Sequence, residues 1–165
     1  ATFGMLVNDD LFQKEGLAVP QSYSELIQVC DTWKERGYQN PILSYNDDSH
    51  MLYAMIYPYF CAQAAENPDQ LEDLNQLVPG AGEMMRSSLT LTEDFMSHGF
   101  IDTEACSEMK NAYEPMILRF FEGDIPMMFV DGDTVSGTGK RESLSEAFSA
   151  NPFLPQATPR VASAS

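Results

Sequence analysis

The sequence predicts a mainly α-helical domain that contains a few short β-strands. Apolar residues recur at helical spacing along most of the chain, most clearly after the capping signal at residues 22–25. Only three runs have the length and composition of strands, at 3–7, 41–45 and 125–130. Since so few strands rarely make a self-contained α/β domain, we expect them to pair with a part of the protein that lies outside this chain.

The helices follow from apolar periodicity, capping residues and glycine stops. In chain order, the predicted helical segments are 9–15, 22–37, 51–65, 67–77, 82–98, 103–122 and 141–148. Residues 51–65 are apolar and aromatic nearly all round, which predicts a helix buried on most sides, bent or broken at Pro58. Pro115 is predicted to interrupt the helix of 103–122. The small, polar residues 156–165 predict a disordered tail.

Composition excludes one class of partner. The chain has 25 acidic and nine basic residues, a formal net charge of -16, so nucleic acid is excluded because its recognition depends on Lys and Arg. The chain starts at Ala1 without the basic segment and apolar run of a signal peptide, and its apolar runs are too short to span a bilayer. We therefore expect a soluble protein or one whose targeting segment has been removed.

No constellation of residues predicts catalysis, a cofactor or a metal site. Residues 131–142 have acids at calcium-loop positions, but Val135 and Ser136 replace the fifth ligand and the essential glycine. His50 and His98 lie apart and are interpreted as polar residues at a helix start and a helix end. The carboxylate pairs are frequent enough to arise by chance in so acidic a chain. An enzyme is therefore not predicted.

Two features leave alternatives open. The three cysteines, Cys30, Cys61 and Cys106, allow one disulfide and a leftover thiol, or three buried thiols. Aromatic residues crowd the stretch 45–60, where a helix core is the ordinary explanation. The functional alternative is that one or two of them line a pocket, since aromatic faces with carboxylates suit the apolar C–H faces and hydroxyls of a polyol.

Five segments carry, in order, patterns that occur together in one family. They are Gly4–Phe12, Glu15–Leu26, Gly37–Leu43, Phe120–Phe129 and Asn151–Pro155. Through them the chain resembles the sugar-binding class (family 1 type) of solute-binding proteins that serve ABC importers, over about residues 3–155.

The resemblance implies a two-lobe, periplasmic-binding-protein-like (type II) α/β fold, of which this chain is mainly the helical second lobe. Residues 1–8 would be the hinge and crossover strand, and 9–124 the helical lobe. Residues 125–155 would form the return strand and the start of the first lobe, followed by the tail 156–165. The crossover and return strands are therefore expected to pair or lie side by side.

The resemblance also implies where a ligand binds. In the family it lies between the lobes, held by aromatic stacking and by polar groups on loops. Two loops match such positions, and the implied ligand-binding residues are Tyr45, Asp47, Asp48, Asp131, Gly132, Asp133 and Thr134. Thr134 stands where the family often has Trp, and Leu6 where a crossover tyrosine is common. Hydrogen bonding is therefore expected to outweigh stacking on this lobe.

The function implied is binding of a solute, a carbohydrate by resemblance, for import. The implied partners are the solute and the membrane permease of an ABC importer. The implied location is extracellular or at the cell surface, lipid-anchored through an N-terminal segment absent from this chain. The alternative from another class is a helical domain of a surface protein that binds another protein.

Overall fold

Four short strands form one sheet in the computed structural model, which describes residues 3–44, 50–108, 113–131 and 160–162. The strands are β1 (Phe3–Val7), β2 (Ile42–Leu43), β3 (Met127–Asp131) and β4 (Arg160–Ala162). They lie in the order β2-β3-β1-β4, in which β1 is antiparallel to β3 and β4, and β2 is parallel to β3. The predicted adjacency of the crossover and return strands is confirmed by the β1–β3 ladder.

Helices make up most of the described chain. They are α1 (Asp9–Glu15), α2 (Tyr23–Glu35), α3 (His50–Glu66), α4 (Pro68–Asn75), α5 (Glu83–Ser97), α6 (Thr103–Glu108) and α7 (Tyr113–Phe121). Several ends carry the signals that predict them. The Asn8 side chain accepts the Leu11 N–H at the start of α1, and Gly16 ends that helix with φ 65°, a left-handed conformation that suits glycine.

The sheet separates two apolar clusters because alternate strand residues face opposite sides. One cluster lies between the sheet and helices α1, α2 and α5, and centres on the fully buried Trp33 and Phe95. The other lies between the sheet and α7, where Ile117 and Phe120 cover Leu6 and Met128. Each apolar side chain fully buried in this way contributes about 1.5–3 kcal/mol. Packing on both faces holds the sheet in place, and this fixes the positions at which its strands end.

Helix α3 differs from its prediction. It continues through Pro58 to Glu66 without a break, and none of the residues 56–66 is buried, with Tyr57 41% exposed. The prediction of burial on most sides is therefore wrong for this half of the helix. The reason is that neighbouring elements, chiefly α5, cover one side of the helix and leave its other side exposed.

Two further predictions are corrected. Pro115 lies within α7, which runs from Tyr113 to Phe121. It therefore does not interrupt that helix. Within the predicted disordered tail, Arg160–Ala162 form β4 along β1, where backbone pairing orders even small residues. The predicted helix at 141–148 lies outside the described residues.

Candidate functional site

Two strand ends define the edge of the sheet at which the candidate site lies. Ile42 is opposite Met127 and Leu43 is opposite Met128 in the parallel β2–β3 pair. Because parallel strands point the same way, the chain leaves both strands at the same edge. Strand β3 runs three residues past Met128, about 10 Å, to Asp131. In open sheets, ligands bind in the crevice beyond such carboxyl ends.

The predicted ligand-binding residues belong to the segments that start at this edge. Asp131 is the last residue of β3, and its backbone lies opposite Phe3 at the start of β1. The other six lie outside the described residues: Tyr45, Asp47, Asp48, Gly132, Asp133 and Thr134. Strand topology therefore brings the starts of the two predicted loops to one edge, and the contacts of the loop side chains remain a prediction.

The exit from β2 is enclosed and hydrogen-bonded from α6. Ser44, which follows β2, is fully buried, and its carbonyl oxygen accepts a hydrogen bond from the thiol Sγ of Cys106 at 3.0 Å. The Ser44 hydroxyl oxygen is buried and has no hydrogen-bond partner among the described residues. Sequence reasoning missed this pair, because 62 residues separate its members and neither lies in a motif.

The thiol of Cys106 keeps its proton. Burial raises the pKa of Cys106, and the nearby Asp102 carboxylate raises it further. Cys30, Cys61 and Cys106 are all free thiols, of which Cys61 is exposed. The structure therefore matches neither alternative, since the three cysteines form no disulfide and one of their thiols is exposed.

A concavity lies at the far end of α3. This groove, between the end of α3, helix α4 and the start of α5, has a volume of about 500 Å³. Its polar lining includes Glu66, Gln70, Asp73 and Glu83. Since α3 has 17 residues, the groove lies about 25 Å along the helix from its first turn, which follows the β2 loop. The groove is therefore separate from the sheet edge.

Three chemical features of the described residues bear on function. No three of their His, Cys, Asp or Glu side chains are grouped so as to hold a metal ion. No helix among them is long and apolar enough to cross a membrane. As interpreted, His50 is the first residue of α3, and His98 is the C-cap of α5, stacked on the ring of Phe100.

Comparisons with known proteins find likeness in structure. No family model matches the chain, and no curated protein matches it. One similar solved structure comes from work on xylan utilization by the thermophilic bacterium Caldanaerobius polysaccharolyticus. It has a TM-score of 0.64 and 19% identity, over 94% of this chain and 36% of that one. Another is the SBP (solute-binding protein) RafE in complex with raffinose, with a TM-score of 0.56 and 16% identity, over 85% of this chain and 36% of that one.

These likenesses concern the fold. They confirm the predicted fold class, a mainly helical lobe with a small sheet as found in solute-binding proteins. The chain spans about a third of the length of either structure, 36% in both cases.

Proposed function

We propose that this chain is the helical second lobe of a two-lobe protein that binds a carbohydrate for import by an ABC transporter. The observation that carries the proposal is the parallel pairing of β2 and β3, which starts both predicted ligand loops at one sheet edge. The chain also enters the lobe at that edge through β1 and leaves it through β3. A ligand bound there would lie next to the connection between lobes.

The proposed organisation follows the strands. Residues 1–8 form the crossover, 9–124 the lobe, and 125–155 the return strand and the path toward the first lobe. The likeness in fold to RafE, whose structure contains raffinose, supports a sugar as the class of solute. A protein of this kind binds its solute without chemical change, so the proposed function is not enzymatic.

The proposed chemistry is hydrogen bonding from carboxylates to sugar hydroxyls. Asp47, Asp48, Asp131 and Asp133 would accept hydrogen bonds, and charged acceptors form stronger bonds than neutral ones. Tyr45 would stack on an apolar sugar face. Gly132 and Thr134 belong to the second predicted ligand loop. The competing explanation is that the acids only cap helix starts, where the helix dipole favours negative charge.

The proposal includes a partner and a location. The partner is the membrane permease of an ABC importer, which would receive the loaded protein. The location is the extracellular side or the cell surface, with a lipid anchor on an N-terminal segment. The resemblance described above and the likeness to solute-binding proteins support both.

The test is to replace Asp47 and Asp133 singly with Ala in the full-length protein and to titrate raffinose and xylo-oligosaccharides by calorimetry. Losing one charged hydrogen bond inside the cleft is expected to cost about 1.5–3 kcal/mol, roughly one to two decades in affinity. Such a loss in either variant, at unchanged thermal stability, would support the loops as the site.

The matched control is Asp69→Ala, which removes an exposed carboxylate from the first turn of α4. This variant is expected to bind like the wild type. If the Asp47 and Asp133 variants also bind like the wild type while folded, the two loops are not the site. If the wild-type protein binds no oligosaccharide at all, carbohydrate is the wrong class of solute.

A further inference from the structure

The structure contains a contact that links a helix to the base of a predicted ligand loop. The Cys106 thiol on α6 donates to the backbone carbonyl of Ser44, the residue that follows β2, at 3.0 Å. Both residues are buried, with 2% and 0% of their surfaces exposed. A hydrogen bond in so enclosed a place is shielded from competition by water.

This hydrogen bond acts at the start of the predicted loop. The Ser44 carbonyl belongs to the peptide group that joins Ser44 to Tyr45, the first predicted ligand-binding residue. Because that peptide group is planar, holding its carbonyl oxygen also fixes the direction in which the chain continues. The donor end is itself held, since the Asp102 side chain caps α6 by accepting the Ala105 N–H at 2.9 Å.

We propose that Cys106 is a positioning residue of the solute-binding cleft, whose thiol fixes the exit of the chain from β2 toward Tyr45. This inference rests on the proposed function. Cys106 is enclosed and does not touch the solute. It acts through the backbone of Ser44, so its removal misdirects the loop and weakens binding without removing any ligand contact.

A second cysteine provides a matched comparison. Cys30 on α2 is fully buried in the same apolar cluster as Cys106, and burial raises the pKa of its thiol to about 12. Both thiols are therefore protonated near neutral pH and fill similar apolar space. They differ in position, since Cys106 donates to the end of β2 and Cys30 lies within α2.

The experiment uses the full-length protein and four variants, Cys106→Ala, Cys106→Ser, Cys30→Ala and Cys30→Ser. The first readout is hydrogen–deuterium exchange of the peptide that contains residues 44–49. The second is calorimetric titration with raffinose and xylotetraose. Cys106→Ala should exchange faster in that peptide and bind about two- to tenfold more weakly, the factor that one net hydrogen bond is worth. Cys106→Ser keeps a donor and should restore both values.

The two Cys30 variants decide between positioning and general loosening of the core. Neither should change exchange at residues 44–49, although Cys30→Ser, which buries a hydroxyl in an apolar site, should lower the melting temperature. The inference is overturned if Cys106→Ala exchanges like the wild type, or if Cys30→Ala changes the same peptide equally.

Two outcomes that would complicate the experiment have alternative measurements. If Cys106→Ala does not fold, Cys106→Val, whose apolar side chain is somewhat larger and has no donor, takes its place. If the wild-type protein binds neither sugar, the proposed function fails on that measurement, while exchange at residues 44–49 still decides the role of Cys106.

Discussion

Among single residues, Arg119 at the end of α7 shows how a surface charge acts on its neighbours. Its guanidinium donates hydrogen bonds to the Asp124 carboxylate through both terminal nitrogens, with Nη2 2.9 Å from Oδ2. Its Nη1 also lies 2.9 Å from Oε2 of Glu122. The hydrogen bonds from Arg119 hold the pKa of Asp124 below its ordinary value. This network closes the turn between α7 and β3.

The lowered pKa gives a signed prediction for acid stability. The folded-state pKa of Asp124 lies below its unfolded value. The ionised Asp124 therefore makes its full contribution to the free energy of unfolding above about pH 4, and this contribution is lost as the pH falls through the folded pKa. Asp124→Asn should therefore lower the free energy of unfolding above pH 4. Below pH 4, the free energy of unfolding of this variant should fall less steeply with pH than that of the wild type. The effect should stay within about 1 kcal/mol, since the side chain is 63% exposed. Urea denaturation at a series of pH values measures it.

Asp73→Asn makes the same change of charge inside α4, past its first turn. This control keeps the pair between Arg119 and Asp124, so the decline that Asp124→Asn flattens should persist in it. Equal curves for Asp124→Asn and the wild type between pH 2 and 5 would contradict an energetic role for the Arg119 network.

At the scale of elements, helix α4 ends in an unusual way. Leu77, just past its C-cap Gln76, has φ 54°, a left-handed conformation that usually belongs to glycine. The Leu77 N–H donates to the Leu74 carbonyl and the Val78 N–H to the Asp73 carbonyl, which is the Schellman pattern. The Leu77 side chain is 82% exposed, so it gains little from burial in return for this strain.

We predict that Leu77→Gly stabilises the protein by about 0.5–1 kcal/mol. Glycine removes the steric cost of the left-handed conformation, which is about 1–2 kcal/mol, and offsets part of that gain through its greater freedom in the unfolded chain. Chemical denaturation of the full-length protein provides the measurement.

The same change at Leu89 is the control. Leu89 is 50% exposed inside α5, where glycine is expected to cost about 1 kcal/mol relative to a good helix former. Opposite signs at the two positions would support the analysis of Leu77. Destabilisation at both positions would show that the Leu77 side chain makes contacts that outweigh its strain.

For the whole molecule, the proposed two-lobe arrangement implies that this chain would offer only half of a cleft. The chain spans 36% of the length of either similar structure. A ligand enclosed between two lobes loses about half of its contacts, and much of its burial, when one lobe is absent. Under this proposal, the sheet edge of this chain would be a poor site by itself.

We predict that residues 1–165 alone bind oligosaccharides weakly or not at all. Calorimetry with raffinose should give no saturable heat at ligand concentrations in the micromolar range, while circular dichroism shows the chain to be helical. The full-length protein is the positive control. Micromolar affinity in residues 1–165 would mean that this lobe contains a complete site and would contradict the proposed two-lobe arrangement.

The sequence by itself determined the features that depend on near neighbours. The helix that begins after Ser22 and the stops at Gly16 and Gly99 are set within a few residues, because caps and left-handed turns are local. The approximate positions of β1 and β3 follow equally from short apolar runs. The candidate site segments after β2 and β3 were predicted from the resemblance, since no single motif specifies them.

Only the tertiary structure decided how these parts meet. Two contacts join residues far apart in the chain, the pairing of β4 with β1 and the hydrogen bond between Cys106 and Ser44. Which side of α3 is exposed likewise depends on the elements that pack against it. Backbone groups are alike in every residue, so which strands pair depends on how the whole chain buries its apolar surface.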